Sequence, residues 1–261
     1  MADESERATI AQPDSLFPVR AITCDPANLN TADCNWLCRC DDGCTYAIKD
    51  GTKNPFVPHS EWFCTQLAER VSIAAPACKI VEMHDRTHVF GSRWEGGVLS
   101  KSDWIGKLQR NEISLTDIAP VLSRIFAFDH FVYNDDRHAG NFIVRDQAGG
   151  YAVLAFDYSR SWLFHGFPLP ALPFAQHQNT RQLQQQIRRL LFAYIDSEKC
   201  TELLDRIRNI NVSTIEDIIE SHPESWLDPK NRDDILDWWG STSFVDRISS
   251  IAKGIEDGSY L

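Results

Sequence analysis

Short alternating stretches of apolar and polar residues dominate the first ninety positions of the chain. The segments Trp36–Cys40 and Thr45–Lys49 alternate with a period of two, which is typical of β-strands, and residues 41–43, with the sequence Asp-Asp-Gly, predict a hairpin turn between them. Residues 61–72 instead carry an apolar stripe at helical spacing, with Ser60 as the expected N-cap. Two further strands are predicted at residues 77–81 and 87–90.

Amphipathic helices dominate the rest of the chain. Residues 117–133 and 180–195 repeat apolar side chains every three or four positions, and Pro120 is expected in the first helical turn, where proline is tolerated. A hairpin is predicted from strands at 142–146 and 151–156. A mainly β segment followed by a mainly helical one predicts an α+β fold. Further helices are expected at residues 200–210, 214–221, 233–239 and 244–256.

The change from sheet to helix divides the chain into three expected parts. Residues 1–15 are polar and expected to be flexible, as chain termini often are. Residues 16–95 form the β-rich part and residues 96–261 the helical part. Glycines between residues 91 and 103 would permit a hinge at the junction, although a plain surface loop explains them equally well.

Charge and composition narrow the classes of function. The 261 residues carry a formal net charge of −11, so nucleic acid and anionic membrane surfaces are poor partners at long range. The first ten residues contain acidic side chains and no apolar run, unlike a secretory signal, and no segment reaches the roughly 18 apolar residues of a membrane span. We therefore expect a cytoplasmic protein that binds neither nucleic acid nor membranes.

The chain contains eight cysteines, and without a secretory signal these predict reduced thiols rather than disulfides. Cys38 and Cys40 lie two positions apart on a predicted strand and therefore share one face. No pair has the Cys-x2-Cys spacing of zinc sites. Small buried thiols are therefore favoured over a metal site.

Three polar residues follow the helix predicted at 117–133. Asp136 and Asn141 lie five positions apart, and Asp157 ends the second strand of the predicted hairpin. Facing residues of antiparallel strands have numbers with a constant sum, and Asn141 and Asp157 average to a position inside the predicted turn. Both side chains should therefore lie at the open end of the hairpin, beside Asp136. Converging oxygen-bearing side chains require a compensating cation, and Mg²⁺ prefers oxygen ligands that it shares with phosphates.

This spacing is typical of phosphoryl transfer. In the kinase catalytic loop, an Asp that orients the attacking hydroxyl precedes a metal-binding Asn by five positions, and a metal-binding Asp comes later. Lys49, in Ala-Ile-Lys at a strand end, resembles the kinase lysine strand, and Glu61 twelve positions later is placed to pair with it. Taken alone, Asp136 and Asn141 also fit a capped loop, and Lys49 a solvated strand end.

The motif Asn-x-Asp-Arg-His-x-x-Asn at residues 134–141, with Phe-Asp-Tyr-Ser at 156–159, resembles the HipA-like kinases. The resemblance extends from about residue 36 to residue 162, and includes Lys49. Members of that family are bacterial Ser/Thr kinases, some of them toxins. The resemblance implies a protein-kinase-like bilobal fold, with a small, mainly β N-lobe and a mainly helical C-lobe.

The resemblance also implies a role for each predicted site residue. Asp136 would be the catalytic Asp, Asn141 and Asp157 would bind Mg²⁺, and Lys49 would contact the phosphates of ATP, supported by Glu61. ATP and Mg²⁺ are thus the implied cofactors. A protein with a Ser or Thr hydroxyl is the implied substrate. A regulatory protein is a second possible partner.

Other functions remain open because no glycine precedes Gly43, so the usual Gly-rich cover over the phosphates is missing. The loop at 28–35, with Thr31 or backbone amides as donors, is the expected replacement. One alternative is a pseudokinase-like module that binds nucleotide or protein. Another is a lipid kinase, because phosphatidylinositol kinases share the Asp-Arg-His-x-x-Asn motif. A metal-dependent phosphohydrolase is disfavoured because the residues for a second metal are lacking.

Overall fold

The computed structural model describes residues 18–27, 34–190 and 195–260. Strands gather in the first part of the chain and helices in the rest, so the predicted α+β class is confirmed. The N-terminus at residues 1–15, expected to be flexible, lies outside the described residues. The strands of the first part are β1 (Val19–Pro26), β2 (Trp36–Cys40), β3 (Thr45–Lys49), β4 (Cys78–Glu82) and β5 (His88–Arg93).

These strands close into a small barrel in the order β1-β2-β3-β5-β4. Neighbours are antiparallel, except that β1 runs parallel to β4 through the pair Val19 and Val81. Closure removes the free edges that an open sheet would leave. Gly91 lies within β5, where an added Cβ would approach Cγ2 of Val81 to 2.6 Å. This glycine therefore permits close strand packing and does not act as a hinge.

One cysteine pair corrects the expectation of reduced thiols. Cys24 on β1 lies opposite Cys38 on β2, with Cα atoms 4.1 Å apart, and the two sulfurs form a disulfide. The sequence did not reveal this pairing because it depends on the register of β1, which shifts between Ala21 and Thr23. The remaining cysteines are free, and Cys38 and Cys40 both face the barrel core, as predicted.

Helix α1 (Val57–Arg70) begins earlier than the sequence predicted. Asn54 ends the preceding turn, because its side chain accepts the backbone N–H of Phe56 at 2.9 Å. Pro58 fits the first helical turn, where its missing N–H would have no partner. Ser60 therefore lies buried inside the helix, and the N-cap predicted there is wrong.

The helices that follow pack around one apolar core, which also includes α1. Pro120 lies in the second helical turn rather than the first, because its helix begins at Leu115. No described helix is long and apolar enough to cross a membrane. The helix predicted at 180–195 is present up to Leu190, and residues 191–194 lie outside the described part. The helices are α2 (Lys101–Gln109), α3 (Leu115–Val132), α4 (Asn179–Leu190), α5 (Ser197–Arg208), α6 (Val212–Glu220), α7 (Pro229–Trp238) and α8 (Thr242–Glu256).

The predicted hairpin between α3 and α4 is present as β6 (Phe142–Gln147) and β7 (Gly150–Ala155). Its turn is shorter than expected by one residue on each side, so Asp146 still faces Tyr151, as the predicted strands imply. Asn141 consequently faces Phe156, whose backbone N–H donates to the Asn141 carbonyl oxygen at 3.4 Å. Asn141 and Asp157 are therefore one position out of direct register, and both lie at the open end of the hairpin, as expected from the sequence.

The connection from β5 to α2 is held against this hairpin. The backbone N–H of Leu99 donates to the carbonyl oxygen of Val144 at 2.8 Å. Arg145 on β6 forms an ion pair with Glu95 at 3.0 Å. The connection is therefore anchored to the helical part, which agrees with a plain loop rather than a free hinge.

Candidate active site

Lys49 joins three elements of the fold. It ends β3, and its side chain is buried. Its Nζ donates to Oε1 of Glu61 on α1 and, at 2.6 Å, to Oδ1 of Asp157, which follows the hairpin. The expected pairing of Lys49 with Glu61 is therefore present in the structure. The contact with Asp157 was not predicted, because it spans 108 positions of sequence.

The charges of this cluster do not balance, since two carboxylates surround one ammonium group. Burial lowers the pKa of Lys49, but Asp157 and Glu61 outweigh it and raise that pKa overall. Burial raises the pKa of Glu61 to about 7 against the opposing effect of Lys49. Burial also raises the pKa of Asp157, but Lys49 and the Ser159 hydroxyl hold it below its usual range. Asp157 is therefore the ionised partner of Lys49, whereas Glu61 titrates near neutral pH.

The backbone after β7 directs Asp157 into the cluster. Asp157 has φ 67°, in the left-handed region that non-glycine residues rarely adopt and that Asp tolerates better than most. Ser159 donates its hydroxyl to Oδ1 of Asp157 at 2.7 Å. The backbone N–H of Tyr158 donates to Oε1 of Glu61 at 2.9 Å. A single turn of chain thus fixes both carboxylates relative to Lys49.

Asp136 lies in the loop that follows α3, and its side chain is about a quarter exposed, at 26%. Its Oδ1 accepts a hydrogen bond from Nδ2 of Asn179, the first residue of α4. Nε of Arg160 lies 3.5 Å from its Oδ2. Nδ2 of Asn141 lies 3.5 Å from its backbone carbonyl oxygen. The loop therefore holds the Asp136 carboxylate between two donors that the sequence did not identify.

Arg137, a fully buried residue of this loop, connects the loop to α3 and to the hairpin. Its guanidinium makes a two-pronged pair with Asp129 of α3, with both distances 2.9 Å, and neither side chain is exposed. Nη1 of Arg137 also donates to the carbonyl oxygens of Asn141, at 3.0 Å, and Phe156. One buried side chain thus fixes the residues beside Asp136, Asn141 and Asp157. Asp129 could have been noticed in the sequence, because it interrupts an apolar run.

A cavity of about 230 Å³ adjoins the Lys49 cluster. Ala47 and Phe142 contribute apolar walls, and Lys49, Glu61 and Asp157 contribute charged ones. Apolar walls with a few converging polar groups are typical of small-molecule sites. A larger groove of about 650 Å³ beside α1 contains none of the predicted site residues, so volume alone does not locate the chemistry.

The structure divides the predicted residues into two groups. Lys49, Glu61 and Asp157 meet directly and line the cavity. Asp136 and Asn141 are not among the lining residues, although Ala139 and Gly140 of the same loop are. The two groups are joined through Arg137 and the open end of the hairpin.

Comparison with known protein families gives a match that includes all of the predicted site residues. The sequence model of the HipA-like kinase family matches residues 30–238, which is most of the chain. The chain belongs to the HipA-like kinase family. This HipA-like chain has no significant match among curated proteins. Family membership supports a kinase-like function.

Solved structures show that this HipA-like chain has a kinase-like fold. The Helicobacter pylori proinflammatory kinase CtkA aligns with a TM-score of 0.57 and 13% identity, over 90% of this chain and 99% of that one. The N-terminal 618-residue fragment of LepB from Legionella pneumophila aligns with a TM-score of 0.55 and 14% identity, over 81% of this chain and 45% of that one. At these identities the likeness describes the fold alone.

Proposed function

We propose that this HipA-like chain is an ATP- and Mg²⁺-dependent kinase that phosphorylates a Ser or Thr hydroxyl of a protein. The observation that carries the proposal is the Lys49 ammonium group, held between Glu61 and Asp157 beside a cavity. Burying a cation with two carboxylates from different elements carries a desolvation cost, and buried titratable groups with perturbed pKa values cluster at functional sites. The site's order of Lys, Glu, Asp, Asn and Asp is that of protein kinases.

The proposed roles follow from the contacts. Lys49 would pair with the phosphates of ATP, and Glu61 would hold Lys49 in place. Asp136 would orient the attacking hydroxyl, because its carboxylate is partly exposed and fixed by Asn179. Residues 16–95, which contain the barrel strands, would act as the small lobe and residues 96–261 as the large lobe.

The donor set fits Mg²⁺. Asp157 is ionised and partly exposed, and Asn141 supplies an amide oxygen at the same end of the hairpin. Within the described ranges, no cluster of three or more His, Cys, Asp or Glu could hold a metal ion by itself. Mg²⁺ commonly uses one or two protein ligands and completes its shell with phosphates and water. When bound, the ion would neutralise charge on the phosphates.

The test is phosphoryl transfer from labelled ATP, to the protein itself and to a panel of protein substrates. We expect Asp136→Asn to lower the rate by roughly 100- to 10,000-fold, the range for loss of a general base. The matched control is Asp146→Asn, an exposed Asp on β6 of the same hairpin, which should keep the parental rate.

Three other results would change the proposal. Equal rates in the Asp136→Asn variant and the parent would remove Asp136 from its role. Binding of ATP without transfer to any acceptor would favour the pseudokinase-like alternative; a ligand at a hundred times its Kd adds about 2.7 kcal/mol of stability, enough to measure. Transfer to phosphatidylinositol but not to proteins would favour a lipid kinase.

A further inference from the structure

The segment between α6 and α7, residues 221–226, packs against the helix that carries Glu61; we call it the clasp. His222 Nε2 lies 2.9 Å from Nδ1 of His59 on α1. The indole N–H of Trp62 donates to the Ser221 hydroxyl at 3.0 Å. The indole N–H of Trp226 donates to the backbone carbonyl oxygen of His88, at the start of β5, at 3.1 Å. The clasp therefore connects the C-terminal helices to both α1 and the barrel.

The hydrogen bond between the two histidines has a defined direction. His222 Nδ1 lies 2.9 Å from the carbonyl oxygen of Pro223, which only accepts, so Nδ1 carries the proton. His222 Nε2 is then the acceptor, and His59 Nδ1 donates to it. Nε2 of His59 is buried without a hydrogen-bond partner, which agrees with an unprotonated nitrogen. Both rings are therefore neutral in this arrangement.

The surroundings of the pair favour this neutral state. His59 is completely buried and His222 nearly so, stacked on the Trp226 ring with centroids 5.5 Å apart. Burial lowers the pKa of His59, as does the neighbouring His222, and burial lowers the pKa of His222 as well. The charged residues that share a groove with His222 are Glu220, Glu224, Asp228 and Arg232. Among the described residues, neither ring is paired with a carboxylate.

The clasp and the Lys49 cluster hold the same turn of α1 from different sides. His59 and Glu61 are two positions apart, so they project about 200° apart around a helix of roughly 3.6 residues per turn. Glu61 reaches Lys49 and the Tyr158 N–H on one side, while His59 reaches the clasp on the other. A shift of α1 away from the clasp would therefore move Glu61 relative to Lys49.

We propose that the His59–His222 pair is a positioning contact that sets Glu61 against Lys49 and makes nucleotide binding depend on pH. An additional proton at His222 Nε2 would put a hydrogen on both facing nitrogens, and one at His59 Nε2 would place a charge without a partner in an apolar site. Protonation at either nitrogen therefore destabilises the contact. Histidines whose folded pKa lies below the unfolded value of about 6.5 contribute stability above that pH and lose it as the pH falls. As the pH falls below about 6.5, the pair should therefore hold α1 progressively less firmly.

The experiment compares His222→Phe, His59→Phe and the double variant with the parent. Each single variant leaves one imidazole buried without its partner, whereas the double variant removes both. One readout is hydrogen exchange at the Tyr158 amide, which reports the position of Glu61 without any ligand. The other is the Kd of a non-hydrolysable ATP analogue with Mg²⁺. His84→Phe, at an exposed histidine in the β4–β5 turn, is the matched control.

We expect the single variants to speed exchange at Tyr158 and to weaken analogue binding by about tenfold, as for loss of a hydrogen bond to a buried group. The double variant should recover most of that loss, because replacing both partners with apolar rings is nearly neutral. Between pH 7.5 and 5.5, the parent should lose affinity and Tyr158 protection, and the double variant should lose much less. If the single variants do not fold, Ser221→Ala should show a smaller change in the same direction. It removes the Trp62 contact and the hydrogen bond that the Ser221 hydroxyl donates to the carbonyl oxygen of Ile218.

The outcomes separate this inference from the proposed function, on which its nucleotide readout rests. Unchanged Tyr158 exchange and unchanged analogue affinity in the folded variants would overturn the inference, even if the melting temperature fell. A pH response that is equal in the parent and the double variant would overturn its pH dependence. Clasp-dependent exchange in a parent that binds no analogue would instead support the positioning contact and contradict the proposed function.

Discussion

Two buried ion clusters lie close together at the centre of this protein, and they differ in charge balance. In the first, Arg137 meets one carboxylate, Asp129, and both side chains are fully enclosed. In the second, Lys49 meets two carboxylates, Glu61 and Asp157, and Asp157 is 25% exposed. The first cluster is electrically neutral and closed to solvent. The second has an excess of negative charge and lines a cavity.

This difference indicates what each cluster does. The guanidinium of Arg137 has its hydrogen bonds satisfied by a carboxylate and two carbonyl oxygens, so nothing further is needed to complete it. Lys49 has a surplus of carboxylate around it, which suits an additional cation or a rearrangement toward phosphates. We therefore assign the Arg137 cluster to structure and the Lys49 cluster to ligand binding.

The largest expected effect is on stability, and it concerns the Arg137 cluster, which we call the closed cluster because no solvent reaches it. Arg137→Met should lower the free energy of unfolding by about 3–5 kcal/mol, because it leaves the buried Asp129 carboxylate without its counter-ion, with the Asn134 amide still donating to it. Urea denaturation measures this change. Adding Asp129→Leu should restore much of the loss, since an apolar replacement of the whole pair is often neutral.

The control for this prediction is Arg145→Met at the partly exposed pair with Glu95. Exposed ion pairs contribute about 0–1 kcal/mol, so this variant should remain close to the parent. Equal losses for Arg137→Met and Arg145→Met would show that burial of the first pair is not what makes it important.

The next largest effect is on activity, and it concerns the Lys49 cluster, which we call the open cluster because it lines the cavity. Asp157→Asn should lower the rate of phosphoryl transfer by roughly 100- to 1,000-fold, as for loss of one preorganised electrostatic group. Its free energy of unfolding should change by less than about 1 kcal/mol, because Lys49 keeps Glu61 as a partner. Transfer assays and urea denaturation on the same sample measure both quantities. A large loss of unfolding free energy in Asp157→Asn would mean that the open cluster, like the closed one, contributes mainly to stability.

The sequence predicted the open cluster better than the closed one. Lys49 and Glu61 follow a recognisable strand-to-helix pattern, and their pairing needs only local structure. Strands β2, β3, β6 and β7 were also predicted, because their alternation and turn residues are local signals. The roles of the predicted site residues stay predictions until activity is measured.

Features that depend on register or distance were not predictable in this way. Asn141 and Asp157 lie one position out of direct register, which the average of their residue numbers did not reveal. The Cys24–Cys38 disulfide depends on an irregularity in β1 that no residue pattern reveals. Asn179 reaches Asp136 from 43 positions away, and nothing in the sequence marks it as a partner.

The smallest expected effect is a pH dependence that belongs only to the open cluster. Burial raises the pKa of Glu61 to about 7, above its unfolded value, so its contribution to stability is present at low pH and is lost as the pH rises through 7. Glu61→Gln removes this titration. From pH 6 to pH 8, the parent should therefore lose about 1 kcal/mol of unfolding free energy relative to the variant.

The comparison of parent with Glu61→Gln is needed because other groups titrate in the same range. Burial lowers the pKa of His59 and His222, so both raise stability as the pH increases, but they do so in both proteins and cancel in the difference. Urea denaturation at both pH values gives the four free energies. A difference that stays constant with pH would mean that Glu61 remains ionised throughout, held by Lys49 as firmly as Asp129 is held by Arg137. The two clusters would then differ only in their exposure to the cavity, and the assignment of the second to ligand binding would rest on the cavity alone.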